Sequence, residues 1–311
     1  MKLQQYLVAG TLAAAMAAAF PLAAGPVPDS TDVPAQMVVT MLPGAGGAPP
    51  ATLQQGDLTV TVDRNPARVV RLEHLAGDLA NMQLFVLLDD STGSSSLGVH
   101  LPELKSFIRS LPPATQVAVG YMRNGSVQLS QSFTTDHNKA ADSLRLPIAL
   151  PGENGSPYFA LDDLVKHWPS AEAGARRAVL MLTDGVDRYW NTVEMDDPYL
   201  DQAVNHALKD GVMVYSIYLR GAGWYGRGAW VKDFAQSRLI QVSEETGGNA
   251  YFEAYTNPVD IAPFLSDLQN RFAHQYQVTV QTSSHKGVQP VKVRAEVRGA
   301  KIQGPTRIYV P

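Results

Sequence analysis

The chain has 311 residues, with 25 basic and 29 acidic side chains (net charge −4), 45% hydrophobic and 17% charged residues, and no cysteine. So apolar a composition can bury a large core, which excludes wholesale disorder, and the length suits one large α/β domain or two smaller ones. No run of Lys and Arg is dense enough to displace counterions from a phosphate backbone, so broad nucleic-acid binding is excluded, and the lack of cysteine excludes disulfide scaffolds, zinc fingers and thiol catalysis.

Met1-Lys2-Leu3, an alanine-rich apolar stretch from Tyr6 to Phe20, and Pro21-Leu22-Ala23-Ala24-Gly25 have the layout of a secretory signal peptide (1–24) with cleavage after Ala24. The expected location is outside the cytoplasm, periplasmic or secreted. A membrane role follows only if this segment is retained as an anchor, and its apolar run is at the short end for crossing a bilayer. Residues 25–57, rich in Pro, Ala and Gly, read as a flexible linker, with order beginning near Leu58.

From there the apolar pattern predicts elements in sequence. Leu58-Thr59-Val60-Thr61-Val62, a turn at Asp63 to Pro66 and a return through Leu72 read as a β-hairpin (58–80). Leu84 to Leu88 is continuously apolar, as in a strand covered on both faces, and stops at Asp89-Asp90. Leu101, Leu104, Phe107, Ile108 and Leu111 share one helical face. Strands Val117 to Tyr121 and Val127 to Phe133 flank the hairpin pair Asn124-Gly125, and Asp136 caps a helix expected to run to about Leu146. A helix through Leu161 and Trp168, a strand at Ala178 to Leu182, a helix through Leu200 and Ala207, and a strand from Val212 to Leu219 follow. A helix over Ala229 to Glu245, a short strand at Ala250 to Phe252 and a helix from Ile261 to Phe272 close the series. This alternation predicts a doubly wound, mostly parallel sheet with helices on both faces over 81–272. From Gln275 the pattern is β alone, and the strands of 273–311 are expected to join the N-terminal hairpin in a small β-subdomain.

In an open parallel sheet, ligands bind at the carboxyl ends of the strands. Here those ends are rich in oxygen: Asp89-Asp90-Ser91-Thr92-Gly93-Ser94, Gly155-Ser156-Pro157 and Thr183-Asp184-Gly185. Carboxylates and hydroxyls without His or Cys suit a hard cation such as Mg²⁺.

These residues carry a family resemblance. Asp89-x-Ser91, Thr183-Asp184-Gly185 and Thr246-Gly247-Gly248-Asn249-Ala250-Tyr251-Phe252, in this order and over about 81–272, resemble the von Willebrand factor type A (VWA) family, in its branch of exported bacterial proteins. The resemblance implies a metal-ion-dependent adhesion site of Asp89, Ser91, Ser94, Ser156 and Asp184, holding Mg²⁺ (Mn²⁺ or Ca²⁺ as substitutes) completed by an acidic residue of a protein partner. Gly93 stands where the family has its second serine, so the resemblance leaves two registers open, Asp89 and Ser91 with Ser94 reached by a one-residue bulge, or Asp90, Thr92 and Ser94; Ser156 stands where the family has threonine.

Two further loops fall at the same sheet edge, one with Tyr189 and Trp190, the other with Trp224, Tyr225 and Arg227, residue types favoured at binding hot spots. Gly221, Gly223 and Gly226 match a dinucleotide fingerprint, but behind a late strand and with bulky residues inside it, so no nucleotide is expected. The seven histidines form no metalloprotease motif, and no serine sits in a nucleophile elbow. The sequence therefore predicts a non-enzymatic protein-binding module. The alternative is a structural or assembly component of the cell envelope with a vestigial metal site.

Overall fold

Strands of two kinds, alternating and continuously apolar, segregate into two sheets. The computed structural model describes residues 32–44, 52–77, 81–172, 174–190, 196–221, 228–254, 256–297 and 299–311; the expected signal segment lies outside them. One sheet takes strands from both ends of the chain: β1 (Val33–Pro43), β2 (Leu58–Val62), β3 (Asn65–His74), β10 (Gln275–Thr282), β11 (Gly287–Ala295), β12 (Ala300–Gln303) and β13 (Arg307–Val310). Its order is β12-β1-β10-β3-β2-β11-β13, and every pairing is antiparallel. Val39, Val60, Val62, Val278, Val280 and Val310 build its separate core.

The strand β1 corrects the expectation that 25–57 is a linker and that order begins near Leu58. Ala35, Met37, Val39 and Met41 alternate inward and are buried, and β1 pairs on one side with β10 and on the other with β12. Flanking prolines and a Pro/Ala/Gly-rich neighbourhood hide this period-two pattern, and the partners that make it a strand lie more than two hundred residues away.

The second sheet holds β4 (Met82–Asp89), β5 (Thr115–Arg123), β6 (Ser126–Thr134), β7 (Arg176–Thr183), β8 (Val212–Tyr218) and β9 (Ala250–Tyr251) in the order β6-β5-β4-β7-β8-β9. All its pairings are parallel except that of the edge strand β6. Leu84, Val86 and Leu88 pack with α1 (Leu101–Ser110), α2 (His137–Asp142) and α6 (Ala262–Ala273). Phe85 and Leu87 pack with α3 (Pro157–Lys166), α4 (Pro198–Lys209) and α5 (Ala229–Thr246) on the other face. That double cover is why β4 reads as a run of apolar residues with no alternation.

Local chemistry sets several of these boundaries. Asn124 and Gly125 both take positive φ, the geometry of a two-residue hairpin. After α5, Gly248 approaches β8 so closely that a Cβ there would lie 1.9 Å from the Val214 carbonyl oxygen, while the Thr246 hydroxyl accepts the Val214 amide at 3.0 Å. The Thr246-Gly247-Gly248 segment is thus a helix-to-sheet joint. Asp136 caps α2 by accepting the Lys139 amide at 3.0 Å, but the helix stops at Asp142 rather than near Leu146. The next residues are held instead by hydrogen bonds to Tyr121 and Asp90.

If β1 is a central strand, Met41→Ala lowers the free energy of unfolding in urea by about 2–5 kcal/mol. Exposed Gln36→Ala on the same strand changes it by no more than about 0.5 kcal/mol. A linker would make both substitutions silent.

Candidate functional site

The strand order turns at β4 and β7, which are neighbours in the sheet but are reached by connections running in opposite directions, and this opens a crevice at their carboxyl ends. The residue closing β4 is Asp89, fully buried, and its carboxylate is saturated. Oδ1 accepts the Ser91 amide at 2.9 Å and the Ser91 hydroxyl at 2.7 Å. Oδ2 accepts the Asn154 side-chain amide at 2.7 Å and the Thr183 hydroxyl, at the end of β7, at 2.8 Å. Burial first, and the neighbouring Asp184 carboxylate second, push Asp89 up to about 6, against the Ser91 bonds and the Arg188 charge.

Asp184, also buried, follows Thr183. Its Oδ1 accepts the Val186 amide at 3.0 Å, and its Oδ2 accepts from the Arg188 guanidinium at 2.7 Å. Arg188 also donates to the Asn154 side-chain oxygen at 2.8 Å and to the Val186 carbonyl at 3.1 Å. Asn154 therefore bridges the two charged groups, its NH₂ on Asp89 and its oxygen on Arg188. Burial works against the arginine charge, but Asp184, Asp89 and Asp187 together outweigh it and hold Arg188 above its ordinary value.

Two glycines make room for this pair. A Cβ at Gly152 would stand 2.9 Å from Arg188 Nε, and one at Gly221 would stand 2.1 Å from Asp184 Oδ2.

A divalent Mg²⁺ needs about six oxygens converging at roughly 2.0–2.1 Å, and the expected ligands do not converge. Asp89 has no lone pair left over. Ser91 donates to Asp89. The Ser156 hydroxyl donates to Asp187 at 2.8 Å and caps α3 by accepting the Tyr158 and Phe159 amides. Ser94 is exposed, beside Gly98. The alternative register fails as well, because buried Asp90 turns away to an ion pair with Arg145, at 2.6 and 3.1 Å, and accepts the Ile148 amide at 3.1 Å. As arranged, this donor set does not fit a divalent ion. Among the described residues no group of three or more His, Asp or Glu side chains is placed to hold one.

The arrangement thus joins Asp89, Ser91 and Asp184 but leaves Ser94 outside and turns Ser156 toward Asp187. Sequence reasoning missed Asn154, Asp187, Arg145 and, as a site residue, Arg188. The available signal was an arginine four residues beyond the third-loop aspartate, in a loop rich in carboxylates.

The loop of residues 143–156 ties this edge together. Its extended part is held by side chains: the Arg145 amide donates to the Tyr121 hydroxyl at 2.7 Å, that hydroxyl donates to the Arg145 carbonyl at 3.0 Å, and the Leu150 amide donates to Glu153 at 2.8 Å. The Arg145 guanidinium lies 3.8 Å from the Tyr121 ring centroid. Leu146, Ile148 and Leu150, at alternate positions, are left 54%, 67% and 74% exposed.

Of the expected aromatic contacts, Tyr189 is exposed and rests edge-on against Phe159, while Trp190 is partly buried against Tyr199 and donates to the Asp196 carbonyl at 2.9 Å. Trp224, Tyr225 and Arg227 lie outside the described residues. The histidines with hydrogen bonds meet carbonyls or carboxylates, as His137 does at the Thr115 carbonyl (2.8 Å) and His206 at Asp162, so the serine hydroxyls of the crevice face carboxylates rather than an imidazole base.

The strand order, the helices on both faces and the carboxyl-edge crevice define an open, doubly wound α/β fold, extended here by an antiparallel sheet from both chain ends. No protein-family model matches the sequence, and no curated protein matches it. Among solved structures, the chain is similar to a von Willebrand factor type A protein from Catenulispora acidiphila, 10% identical over 90% of this chain and 74% of that one, with a TM-score of 0.46. It is also similar to the conserved hypothetical protein BatB from Bacteroides thetaiotaomicron, 13% identical over 62% of this chain and 97% of that one, TM-score 0.42. A third is an aerotolerance-related membrane protein from Bacteroides fragilis, 12% identical over 61% of this chain and 98% of that one, TM-score 0.41. No helix among the described residues is long and apolar enough to cross a membrane.

Arg145→Ala leaves the buried Asp90 carboxylate without its cation. The expected loss is about 3 kcal/mol of unfolding free energy, together with faster hydrogen exchange at the Ile148 amide. Unchanged exchange there would show that Asp90 does not hold the loop.

Proposed function

We propose that the chain is an exported, non-enzymatic VWA-type module that binds a protein partner at the carboxyl edge of its parallel sheet. The observation that carries this reading is the row Leu146, Ile148 and Leu150, apolar side chains exposed on a backbone fixed by Asp90, Tyr121 and Glu153. A segment ordered before binding spends little conformational entropy when a partner covers it, and exposed Tyr189, beside Gly155 of the same loop, adds an aromatic of a type favoured at hot spots. Export rests on the N-terminal signal layout.

In the finer form of this reading, Mg²⁺, or Mn²⁺ or Ca²⁺ in its place, is completed by an acidic residue of the partner. That form requires Arg188 to withdraw from Asp184 and Asn154. The saturated carboxylates favour instead a partner that lies over the apolar row and does not enter the crevice. The filled crevice also suits the second reading, an envelope assembly component that docks through its antiparallel sheet.

A photo-crosslinking residue separates the two. Placed at Ile148, it is expected to trap one protein from extracts of the source organism, with trapping competed by excess unmodified chain and reduced at least tenfold by Leu150→Asp, without change in thermal unfolding. Trapping from exposed Thr59 on the antiparallel sheet, and none from Ile148, would overturn the edge reading in favour of the assembly role.

A further inference from the structure

We infer that Arg188 is a resident cation: its guanidinium takes the charge-compensating place that a divalent ion has in a site of this layout, and the crevice is complete without metal. Three observations meet here. Two carboxylates, Asp89 and Asp184, are buried at the ends of adjacent parallel strands, an arrangement whose ionised form needs a cation nearby in a low-dielectric site. Arg188 supplies it, bonded to Asp184 at 2.7 Å and reaching Asp89 through Asn154. The surrounding backbone is shaped for this side chain, since at Gly152 a Cβ would stand 2.9 Å from Nε and 3.2 Å from Cδ.

The geometry of the guanidinium matters as much as its charge. A planar fork donates in several fixed directions, so one side chain ties Asp184, the Val186 carbonyl and the Asn154 amide together. Asn154 carries the link to Asp89, and the Arg188 amide donates to the Gly155 carbonyl at 2.9 Å. Arg188 thereby joins the loop after β7 to the 143–156 loop and, through Asn154, to the end of β4, as a bound ion would, but it is supplied by the chain and presents no open coordination position to a partner's acid. Removing the side chain would leave Asp184 Oδ2 and the Asn154 side-chain oxygen without their cation beside a second buried carboxylate, an excess of negative charge that draws in a divalent ion once Asn154 is free to turn away from Asp89. The inference concerns the crevice alone and holds whichever surface the partner covers.

The test compares Mn²⁺ binding by chelator-treated wild type and Arg188→Met, followed by calorimetry and thermal unfolding. Wild type is expected to show no saturable binding and no change in melting temperature with Mn²⁺; Arg188→Lys, which keeps the charge but not the planar fork, is expected to melt lower than wild type and likewise to show no saturable Mn²⁺ binding. Arg188→Met is expected to melt several degrees lower and to recover saturably with Mn²⁺, the recovery being abolished by adding Asp184→Ala. An equal response of wild type and Arg188→Met, whether both shift or neither does, overturns the inference. If Arg188→Met does not fold in chelator, refolding with and without Mn²⁺ makes the same comparison.

Discussion

The parallel-sheet half of the molecule converges on one electrostatic constraint: two buried carboxylates at the ends of β4 and β7 have to be balanced inside the protein. Strand order brings Asp89 and Asp184 to the same crevice, and neither is exposed to water. The balance comes from Arg188, from the Ser91, Asn154 and Thr183 donors on Asp89, and from the backbone amide on Asp184. A third buried carboxylate, Asp90, is balanced independently by Arg145. Adjacent residues Asp89 and Asp90 thus take different partners, Asp90 an arginine directly and Asp89 one reached through Asn154, and both arginines tie down the 143–156 loop.

This constraint links the crevice to the surface around it. Asn154 belongs to the loop that also carries Leu146, Ile148 and Leu150, and Arg188 is followed directly by Tyr189. The groups that neutralise the interior therefore determine where the exposed apolar side chains stand. That coupling runs through hydrogen bonds of ordinary length, with no need for a ligand to order the edge. The antiparallel sheet is a separate body of packing, with its own core, and it draws β1 to β3 and β10 to β13 from opposite ends of the chain.

Much of the fold was legible because the apolar periodicities are unambiguous where both faces of a strand are covered. β4, β7 and β8 are continuous apolar runs, and α1 and α6 carry clean one-sided faces, so the doubly wound fold class is legible in the alternation, with the family resemblance beside it. β1 was not legible, since its inward set of Ala35, Met37, Val39 and Met41 lies in a Pro/Ala/Gly-rich stretch and acquires meaning only beside β10 and β12. β12, four residues long, offers too little sequence to show a period. In the site, Asp89, Ser91 and Asp184 could be found from spacing, because strand ends are where such residues must lie. What spacing could not show was the direction of each side chain: that Ser156 would turn to Asp187, that Asp90 would face Arg145, and that an arginine four residues past Asp184 would fold back onto it.

A carboxyl-edge crevice of this kind can be closed by an ion that comes from outside or by a side chain already present, and the two give different molecules. The first is switched by metal supply and offers a coordination position to an acid; the second is permanently ordered and presents only its surface. The most direct measurement is a crystal structure from crystals soaked in Mn²⁺, with diffraction data collected at the manganese absorption edge. The account predicts no anomalous density between Asp89 and Asp184, with the Arg188 guanidinium bonded to Asp184 and Asn154. A peak there at coordination distance from Asp89, Ser91 or Asp184, with Arg188 displaced into solvent, would contradict it.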